Sequence, residues 1–464
     1  MFMRRSVKSI NPMIVRSYDI RGRFGEYLTC DDAFTLGVAY ASVGASRNLW
    51  RMAVCRDGRL SSAALESALI DGLLAGGLQV YSVGLGPTPL LHYAVRAAGL
   101  SGGIMVTGSH NPRDENGFKL LLDGEPVFGA ALCELVSAPL AFRAGGARWA
   151  FSGSPIHSYV AKLAQMAGTT PPRHIVWDCG NGAVGAVIES LTQQLPGRHV
   201  LLNAEVDGSF PAHHPDPSVA RNLCQLQQTV VTEQADLGIA FDGDGDRIGV
   251  VDSEGVIVWP DQLLLLLARD LLRQNPGATI VGDVKSSEVL FSEIARCGGR
   301  PVMAPSGYVL VRQAAMHERA ALAGEMSGHI LFADCWHGTD DALFAAMRLL
   351  CALGRLDVSL AHFRAGLPAT VATPEMRIPC PENRKTAVVH EVQKRLMREG
   401  ADVNTIDGIR VSTPNGWWLL RTSGTEAKLT ARCEASDAAG LALLKSELTS
   451  QLRHSGIALA ADSP

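Results

Sequence analysis

The chain has 464 residues, of which 47% are hydrophobic and 19% charged, and its formal net charge is −4. This composition indicates a folded protein of about three domains or a few more, and the small acidic excess argues against binding to nucleic acid or to a membrane surface. Ten cysteines scattered along the chain, an amino terminus without an apolar run, and a longest apolar run that covers only residues 263–268 predict a cytoplasmic protein with reduced thiols.

The first predicted elements alternate between strands and helices. They are a strand over 52–55, a helix that Ser61 or Ser62 caps and that ends near 76–77, a strand over 78–83, a helix around 90–98 and a strand over 103–107. Alternation of this kind predicts parallel βαβ units.

The same pattern returns twice further along the chain. Predicted strands cover 174–178, 201–202 and 237–241, and then 279–284, 301–304 and 321–324. In each copy the last strand leads directly into a polar loop, at 109–112, 242–247 and 325–329. Because ligands of open α/β sheets bind beyond the carboxyl ends of the strands, we expect these loops to form walls of one site.

The carboxyl-terminal part of the chain follows a different pattern. A predicted helix over 386–398 precedes strands over 409–412, 417–420 and 429–433 and a closing helix over 439–452. Successive strands without crossovers favour a separate α+β domain. The predicted domains are residues 1–153, 154–255, 256–368 and 369–464.

The loop at 109–112 displays a serine. Gly108 removes bulk behind Ser109, and Pro112 stops both helical and ladder hydrogen bonding, so the hydroxyl of Ser109 is expected on an exposed turn. A serine in this setting can act as a nucleophile or carry a phosphoryl group. For Ser109 taken alone, an ordinary strand-to-loop turn is the alternative.

The second loop carries Asp242, Asp244 and Asp246, which alternate with glycines. Carboxylates this close repel one another unless a cation neutralises them, and their oxygen atoms suit Mg²⁺. An EF-hand does not fit, because Arg247 stands where that motif needs glycine and Ser253 where it needs glutamate. An acidic surface turn is the remaining alternative.

The run Arg421-Thr-Ser-Gly-Thr425 follows the predicted strand over 417–420. Small hydroxyl residues and glycine let backbone N–H groups face an anion, and the guanidinium of Arg421 can bind a phosphate through two donors. A plain hairpin turn is the alternative. The run therefore predicts a phosphate-binding loop only together with the other motifs.

The run from Gly180 to Gly185 matches the pattern G-x-G-x-x-G, and Asp207 lies at a tolerable distance for a ribose partner of a bound dinucleotide. A dinucleotide site would leave the serine, aspartate and arginine loops unexplained. We therefore favour tight strand-to-helix packing for this run, and we interpret His213 and His214 as a loop pair rather than a metal site.

Taken together, the motifs resemble those of the α-D-phosphohexomutase superfamily, and most closely its bacterial phosphomannomutase/phosphoglucomutase branch. The resemblance covers essentially the whole chain, in the expected order, and the set is specific although each motif alone is not. The matching motifs are Tyr18-Asp-Ile-Arg21-Gly22, Thr107-Gly-Ser-His-Asn-Pro112, Asn116-Gly-Phe-Lys119, Asp242-Gly-Asp-Gly-Asp-Arg247, Gly324-Glu-Met-Ser-Gly-His329 and Arg421-Thr-Ser-Gly-Thr425.

The resemblance implies an enzyme that moves a phosphoryl group between O1 and O6 of a hexose, with a hexose 1,6-bisphosphate as intermediate and activator. The implied catalytic residues are Ser109 (the phosphoserine), Lys119 (a general base or acid), Arg247 and Arg21. Mg²⁺ would be held by Ser109, Asp242, Asp244 and Asp246. The implied substrate-binding residues are Tyr18, Lys285, Tyr308, Glu325, Ser327, His329, Arg421, Ser423, Gly424 and Thr425.

The implied fold is three related mixed-sheet α/β domains plus a C-terminal α+β domain around a central cleft, with the last domain closing over the substrate. The implied partners are small-molecule hexose phosphates, and we expect a monomer or weak dimer.

Two departures bear on the substrate. Tyr308 stands where this branch usually has histidine, and the turn Gly424-Thr425-Glu426 looks more like the phosphoglucosamine branch. Met326, by contrast, stands where that branch usually has glutamine. We therefore expect glucose and mannose phosphates to be accepted and glucosamine phosphate poorly. The alternatives are a phosphoglucosamine mutase, a dinucleotide-dependent oxidoreductase built on 180–185, and a non-catalytic sugar-phosphate binding protein.

Overall fold

The computed structural model describes residues 9–143, 145–150, 155–168, 170–336, 338–423 and 427–458. Within these ranges the strands are β1 (Ile20–Arg23), β2 (Arg51–Arg56), β3 (Gln79–Leu85), β4 (Gly102–Val106), β5 (Glu115–Leu122), β6 (Glu125–Pro126), β7 (Arg148–Ala150), β8 (Arg173–Asp178), β9 (Gly197–Leu202), β10 (Leu237–Phe241), β11 (Ile248–Asp252), β12 (Ile257–Val258), β13 (Thr279–Asp283), β14 (Arg300–Ala304), β15 (Leu322–Gly324), β16 (Ile330–Phe332), β17 (Val371–Ala372), β18 (Met376–Pro379), β19 (Asp402–Asn404), β20 (Ile409–Thr413), β21 (Gly416–Thr422) and β22 (Lys428–Ala435).

The helices in the same ranges are α1 (Cys30–Ser46), α2 (Ser62–Ala75), α3 (Thr88–Ala97), α4 (Gly129–Val136), α5 (Pro155–Ala167), α6 (Gly185–Thr192), α7 (Cys224–Glu233), α8 (Pro260–Gln274), α9 (Glu288–Arg296), α10 (Tyr308–His317), α11 (Ala342–Leu356), α12 (Leu360–Ala365), α13 (Glu382–Arg398) and α14 (Ala438–His454). None of the helices described here combines the length and the apolar character that a membrane span requires. All ten cysteines lie in the described ranges, and none of them forms a disulfide there.

The chain forms two compact units. One unit runs to Asp270 and includes Ser327–Arg364, and the other comprises Leu271–Met326 and the part that begins at Ala365. The loops that carry Ser109 and Asp242 belong to the first unit, and those that carry Lys285 and Arg421 belong to the second.

The first sheet of the first unit has the strand order β1-β5-β4-β2-β3-β7, with β6 beside β5. Strands β4, β2, β3 and β7 are parallel, as the βαβ pattern predicts, whereas β1 and β5 are antiparallel to their neighbours. Lys119 of β5 lies opposite Met105 of β4, and Arg21 of β1 lies opposite Gly117 of β5. Lys119 therefore stands on the strand next to the one that leads to Ser109, and Arg21 stands on the strand beyond it.

Two helices of this sheet show how local sequence defines an element. Helix α1 begins with a capping box, in which the Thr29 side chain accepts from Asp32 N at 3.3 Å and Asp32 Oδ2 accepts from Thr29 N at 2.9 Å. For α2 the predicted cap is wrong in detail. Ser61 occupies the N-cap position but makes no capping bond, because Ser61 Oγ instead accepts from Asn116 Nδ2 at 2.8 Å.

The second sheet has the order β12-β11-β10-β8-β9. The predicted parallel strands β9, β8 and β10 are confirmed, and β11 and β12 return antiparallel to them. Pairing of β10 with β11 runs from Leu237–Asp252 to Phe241–Ile248, so the aspartate loop is the tip of a β-hairpin. Helix α11 packs against α5, where Cys351 Sγ donates to Ala167 O at 3.2 Å.

In the second unit, β13 lies between β14 and β15 and is parallel to both. The next sheet is antiparallel, with the order β17-β22-β21-β20-β19 and β18 beside β22. Helices α13 and α14 bury apolar side chains such as Val392 and Leu448 against it. The predicted fold class, mixed-sheet α/β domains followed by a C-terminal α+β domain, is confirmed.

Candidate functional site

Ser109 is held on a tight turn that begins three residues after β4. Its φ is +48°, a value that residues with a side chain rarely adopt, and its side chain is buried rather than exposed as predicted. Ser109 Oγ donates to Asp242 Oδ2 at 2.8 Å and lies 3.2 Å from His110 Nδ1. The predicted nucleophile therefore faces the predicted metal loop directly, which explains its burial.

The close approach of the two loops depends on a glycine. A Cβ atom on Gly243 would lie 2.4 Å from Ser109 O, so only glycine allows this separation. Burial, together with the charges of Arg247, Arg21 and Lys119, lowers the pKa of His110 well below its ordinary value. His110 is therefore neutral beside Ser109.

The three carboxylates of the hairpin tip converge as predicted. Asp242 Oδ1 accepts from the backbone N–H groups of Gly245, Asp246 and Arg247 at 3.0, 3.1 and 3.1 Å, which leaves Asp242 Oδ2 for Ser109. Burial and repulsion from Asp246 and Asp244 raise the pKa of Asp242 well above its ordinary value. Burial and Asp244 likewise raise the pKa of Asp246.

Lys119 neutralises part of this charge. Its Nζ lies 2.7 Å from Asp244 Oδ2 and is also hydrogen-bonded to Asp246 Oδ2. Burial acts to lower the pKa of Lys119, but the charges of Asp244 and Asp246 outweigh it and raise the pKa. Lys119 also lowers the pKa of Asp244, against the effect of burial. Lys119 thus pairs with two of the three carboxylates, and Asp242 has no bond to it.

The same cluster fits a divalent cation. Each of the three aspartates offers an oxygen atom, and these atoms lie within 4.8 Å of one another. Among the described residues, Asp244 Oδ1 and Asp246 Oδ1 are buried without a hydrogen-bond partner. Buried unpaired carboxylate oxygens are costly unless a cation binds them. Thr88 fixes Asp244 by donating from Oγ1 to Oδ2 at 2.6 Å.

Arg21 supplies a second positive charge near the triad. Its Nε and Nη2 both lie 2.8 Å from Asp19 Oδ2, and the charges of Asp244 and Asp246 also act on it. Arg21 Nη1 is buried and has no hydrogen-bond partner within the described part of the chain. Because a buried donor of this kind needs an acceptor, it suits a phosphate oxygen.

Arg247 and His329 are also brought to this unit's site. Arg247 Nε donates to His329 Nε2 at 3.0 Å, so Nε2 of the imidazole is the acceptor in this pair. His329 Nδ1 lies 2.8 Å from Asp340 Oδ2 and 3.7 Å from Asp246 Oδ1. Burial opposes ionisation of Asp340, but His329 lowers its pKa to about 2. Sequence analysis missed Asp340, for which no local motif gave a signal.

Ser327 and Tyr18 complete the predicted residues of the first unit. Ser327 Oγ is buried and unpaired among the described residues, and the neighbouring Gly328 O accepts from Ile248 N at 3.1 Å. Tyr18 is half-buried and precedes Asp19, the partner of Arg21. The segment 327–329 therefore lies beside Ile248, whose pair with Phe241 closes the aspartate loop.

In the second unit, Lys285 lies among three carboxylates. Its Nζ is 3.6 Å from Glu325 Oε1 and 3.8 Å from both Asp283 Oδ2 and Glu375 Oε2. Burial acts to lower the pKa of Lys285, but Asp283, Glu325 and Glu375 outweigh it and raise the pKa. The structure thus brings together the predicted residues Lys285 and Glu325.

Asp283, which sequence analysis missed, links the loops around Lys285. Asp283 Oδ1 accepts from Ser286 Oγ at 2.9 Å and from Met326 N at 3.3 Å. Ser306 Oγ lies 3.1 Å from both Asp283 Oδ2 and Glu325 Oε1. The only sequence signal that could have identified Asp283 is the position of this residue at the end of β13.

The turn that carries Lys285 is also held by two arginines of the antiparallel sheet. Arg410 Nη1 donates to Val284 O at 2.7 Å and to Ser286 O at 2.8 Å, and Arg432 Nη1 donates to Lys285 O at 2.7 Å. The guanidinium of Arg410 lies 3.7 Å from the centre of the Trp417 ring. The backbone of this turn is therefore fixed from the C-terminal domain.

Arg421 lies on β21, which extends two residues beyond the predicted strand, and is already oriented by a carboxylate. Arg421 Nε donates to Asp407 Oδ2 at 2.8 Å, and the same oxygen accepts from Ser306 N at 3.0 Å. Burial acts to lower the pKa of Arg421, but Asp407 outweighs it and raises the pKa. Sequence analysis also missed Asp407, because this residue precedes β20 whereas its partner Arg421 lies on β21.

The remaining predicted residues have the following places. Ser423 follows β21, where its backbone N–H donates to Lys428 O at 2.9 Å. Gly424 and Thr425 lie outside the described residues. Tyr308 is the first residue of α10, after Gly307 at φ +128°.

The run from Gly180 to Gly185 is a tight packing element, as predicted. A Cβ on Gly182 would lie 2.8 Å from Gly243 O, and one on Gly185 would lie 2.1 Å from Ala204 O. Ala183 N donates to Gly243 O at 2.9 Å, so this run supports the aspartate hairpin. Close backbone packing explains its glycines without a dinucleotide.

Comparison with known families matches four domains in chain order. They are described as "Phosphoglucomutase/phosphomannomutase, alpha/beta/alpha domain I" over residues 12–134, domain II over 157–255, domain III over 259–371, and the "C-terminal domain" over 375–451. The matches together span nearly the whole chain.

Individual proteins agree with this result. A phosphomannomutase/phosphoglucomutase from Pseudomonas aeruginosa is 40% identical, with 95% of each chain covered. A phosphoglucomutase from Neisseria gonorrhoeae is 38% identical, over 93% of this chain and 95% of that protein. The crystal structure of a phosphoglucomutase/phosphomannomutase family protein from Burkholderia thailandensis has a TM-score of 0.89 and 36% identity, over 97% of this chain and 98% of that one.

Proposed function

The chain belongs to the phosphoglucomutase/phosphomannomutase family of hexose phosphate mutases, and we propose that it interconverts the 1- and 6-phosphates of glucose and mannose through a phosphoserine at Ser109. The observation that carries the proposal is the bond of 2.8 Å from Ser109 Oγ to Asp242 Oδ2. It joins a buried serine to a cluster of carboxylates and cations, which is the chemistry that phosphoryl transfer needs.

The proposed reaction exchanges phosphoryl groups between Ser109 and the sugar. The bond from Ser109 Oγ to phosphorus breaks as a sugar hydroxyl forms its own bond to that phosphorus, and a base passes the hydroxyl proton to Ser109 Oγ. The product is a hexose 1,6-bisphosphate. In the return step Ser109 Oγ gives its proton to the base and bonds to the phosphorus on the other sugar oxygen; the bond from that oxygen to phosphorus breaks, the oxygen takes up the proton, and the phosphoserine is restored.

Lys119 is proposed as the group that takes and returns this proton. Its pKa is raised in the structure because it shares Asp244 and Asp246. A cation held by the same carboxylates would compete for them and lower the pKa of Lys119 towards the range in which a lysine accepts a proton. The lysine is thus placed to respond to the charge state of the triad.

The cation is proposed to be Mg²⁺, held by Asp242, Asp244, Asp246 and an oxygen on Ser109. Bound there, it would neutralise charge that develops on the transferring phosphoryl group. Arg21 and Arg247 are proposed to bind phosphoryl oxygens, and the unpaired Nη1 of Arg21 supports this role.

Recognition of the sugar and of the phosphate that is not transferred is proposed for a separate set of residues. Glu325 and Ser327 would bind sugar hydroxyls, and Arg421 would bind the phosphate bidentately. The other proposed binding residues are Tyr18, Lys285, Tyr308, His329, Ser423, Gly424 and Thr425. We also propose domain boundaries near residues 153, 255 and 368, which the ranges of the family matches support.

Substrate choice rests on the loop around Met326. Glucose and mannose differ at C2, and an enzyme that holds the O3 and O4 hydroxyls cannot separate them strongly unless a polar group is committed to C2. In the loop from Glu325 to His329, the apolar Met326 stands where the phosphoglucosamine branch usually has glutamine, so we propose that no polar group of this loop is committed to C2. Phosphoglucosamine mutase is the second candidate, favoured by the turn Gly424-Thr425-Glu426.

The test measures kcat/KM for glucose, mannose and glucosamine 1-phosphates, with peptide mass spectrometry of Ser109 before and after exposure to glucose 1,6-bisphosphate. We expect turnover of the first two sugars, poor turnover of the third, and phosphate on Ser109. The Ser109→Ala variant should lose activity, whereas Ser137→Ala, at the exposed C-cap position of α4, should not. Full activity in Ser109→Ala would rule out the phosphoserine, and a preference for glucosamine would make the second candidate correct.

A further inference from the structure

The guanidinium of Arg59 lies behind the Ser109 turn. Arg59 Nη1 donates to Pro112 O at 2.6 Å and to Glu115 O at 2.9 Å, and Nη2 donates to Ser109 O and Asn111 O, each at 2.7 Å. Arg59 is fully buried although it carries a charge. One guanidinium therefore donates to the carbonyl groups of four residues between Ser109 and Glu115.

Asp57 accepts hydrogen bonds from donor groups of the same turn. Asp57 Oδ2 accepts from Thr107 Oγ1 at 2.7 Å and from Gly108 N at 3.2 Å, and Thr107 Oγ1 accepts from Ser109 N at 2.7 Å. Asp57 Oδ2 also lies 3.3 Å from Arg59 Nε. A single buried ion pair thus binds both the N–H and the C=O groups around Ser109.

This arrangement holds Ser109 in a conformation that it would not adopt freely. A positive φ on a residue other than glycine costs free energy and persists only where the surroundings enforce it. Gly108 leaves the space that the guanidinium fills, since a Cβ on Gly108 would lie 2.4 Å from Arg59 Cζ. The turn and the arginine are therefore fitted to each other.

We propose that Arg59, oriented by Asp57, is a positioning residue for phosphoryl exchange. By binding the backbone of the turn, Arg59 holds Ser109 Oγ beside Asp242 during both transfers. The inference rests on the proposed function, because only a serine that both gives and accepts a phosphoryl group needs one fixed position in two states. A misplacement of about 1 Å can reduce a rate about 100-fold without weakening substrate binding. Arg59 is expected to act on kcat and on the rate of Ser109 phosphorylation, and not on KM.

The test compares Arg59→Lys with Arg113→Lys. Lysine keeps the charge, but its ammonium cannot reach the carbonyl groups that the planar guanidinium spans. Arg113 is an exposed arginine of the same turn and serves as the matched control. For Arg59→Lys we expect kcat to fall at least 30-fold, KM to stay within about threefold of the wild type, and Ser109 phosphorylation by glucose 1,6-bisphosphate to slow in proportion.

A second variant separates positioning from folding. Arg59→Ala should regain activity on addition of methylguanidinium at concentrations well below those that denature, and not on addition of methylammonium. Thermal unfolding and circular dichroism establish that each variant is folded. If Arg59→Ala does not fold, Gly108→Ala takes its place, because the added Cβ displaces the guanidinium, and it should show the same fall in kcat.

Three results would overturn the inference: wild-type kcat in Arg59→Lys, a rise in KM that accounts for the whole loss, or equal recovery with methylammonium. A wild-type protein that never carries phosphate on Ser109 would instead refute the proposed function itself. The two failures are therefore distinguishable in one set of measurements.

Discussion

Lys119 Nζ and Asp244 Oδ2 lie 2.7 Å apart, although they are 125 positions apart in the chain and belong to different sheets. Lys119 comes from an antiparallel strand beside the Ser109 strand, and Asp244 comes from the tip of the hairpin in the next sheet. The pair connects the proposed proton carrier to the proposed metal loop. Loss of either partner leaves the charge of the other buried without its counterion. The first two predictions follow from this.

The Asp244→Asn variant should bind Mg²⁺ more weakly. Removing one of three anionic ligands leaves a site with less charge to attract the cation. We expect the Mg²⁺ concentration for half-maximal activity to rise by about tenfold or more, which corresponds to at least about 1.4 kcal/mol. The control is Asp261→Asn, a buried aspartate of α8 outside the hairpin. Equal Mg²⁺ dependence in Asp244→Asn and the wild type would contradict the assignment of the triad.

The Lys119→Met variant should be destabilised when Mg²⁺ is absent. Removing one member of a buried ion pair typically costs about 3 kcal/mol or more, because the other charge stays buried. Added Mg²⁺ should therefore raise the unfolding temperature of Lys119→Met more than that of the wild type. Calorimetry in EDTA and in Mg²⁺ measures both shifts. If Mg²⁺ stabilises the two proteins equally, Lys119 and the cation do not share the carboxylates.

The Arg421→Ala variant should bind substrate more weakly. A lost charge-assisted contact to phosphate costs about 2 kcal/mol, which corresponds to about a 30-fold rise in KM. Asp407→Asn should give a smaller rise, because Arg421 keeps its charge but loses the carboxylate that orients its Nε. Arg377→Ala, an exposed arginine of β18, is the control. Steady-state kinetics that show the same KM for Arg421→Ala and the control would place this loop outside the site.

Stability should depend on pH through His213. Its Nε2 lies 2.9 Å from Asp178 Oδ2 and its Nδ1 lies 3.0 Å from His214 O, so both ring nitrogens face acceptors. Burial acts to lower the pKa of His213, but Asp178 outweighs it and raises the pKa above its ordinary value of 6.5. A raised pKa in the folded state stabilises the protein fully below pH 6.5, and the stabilisation is lost as the pH rises through the raised value.

The measurement is the difference in unfolding free energy between the wild type and His213→Gln at several pH values. We expect the wild type to be more stable by about 1 kcal/mol at pH 6, and the difference to shrink towards pH 9. His157→Gln, at an exposed position of α5, is the control. A difference that stays constant or grows with pH would show that the imidazolium does not pair with Asp178.

Much of this molecule was readable from local sequence. The predicted strands before Ser109, Asp242 and Glu325 are observed as β4, β10 and β15, and each leads into the expected polar loop. Such elements can be predicted because short apolar runs, bounded by glycine, proline and polar residues, define strands without reference to distant residues. The order of the loop motifs likewise identified the superfamily, since each motif is contiguous in the chain.

Only the tertiary structure decided the contacts between these loops. The sequence predicted an exposed turn for Ser109, but Asp242 covers this residue. No hydrophobic pattern specified the antiparallel pairing of β1 and β5, which brings Arg21 and Lys119 to the same end of the sheet. Asp57, Asp283 and Asp407 gave no motif signal because their partners lie on other strands and loops. Hydrophobic periodicity reports which face of an element is buried, whereas the partner of a buried charge depends on strand order and direction, and these are settled only when the sheets assemble.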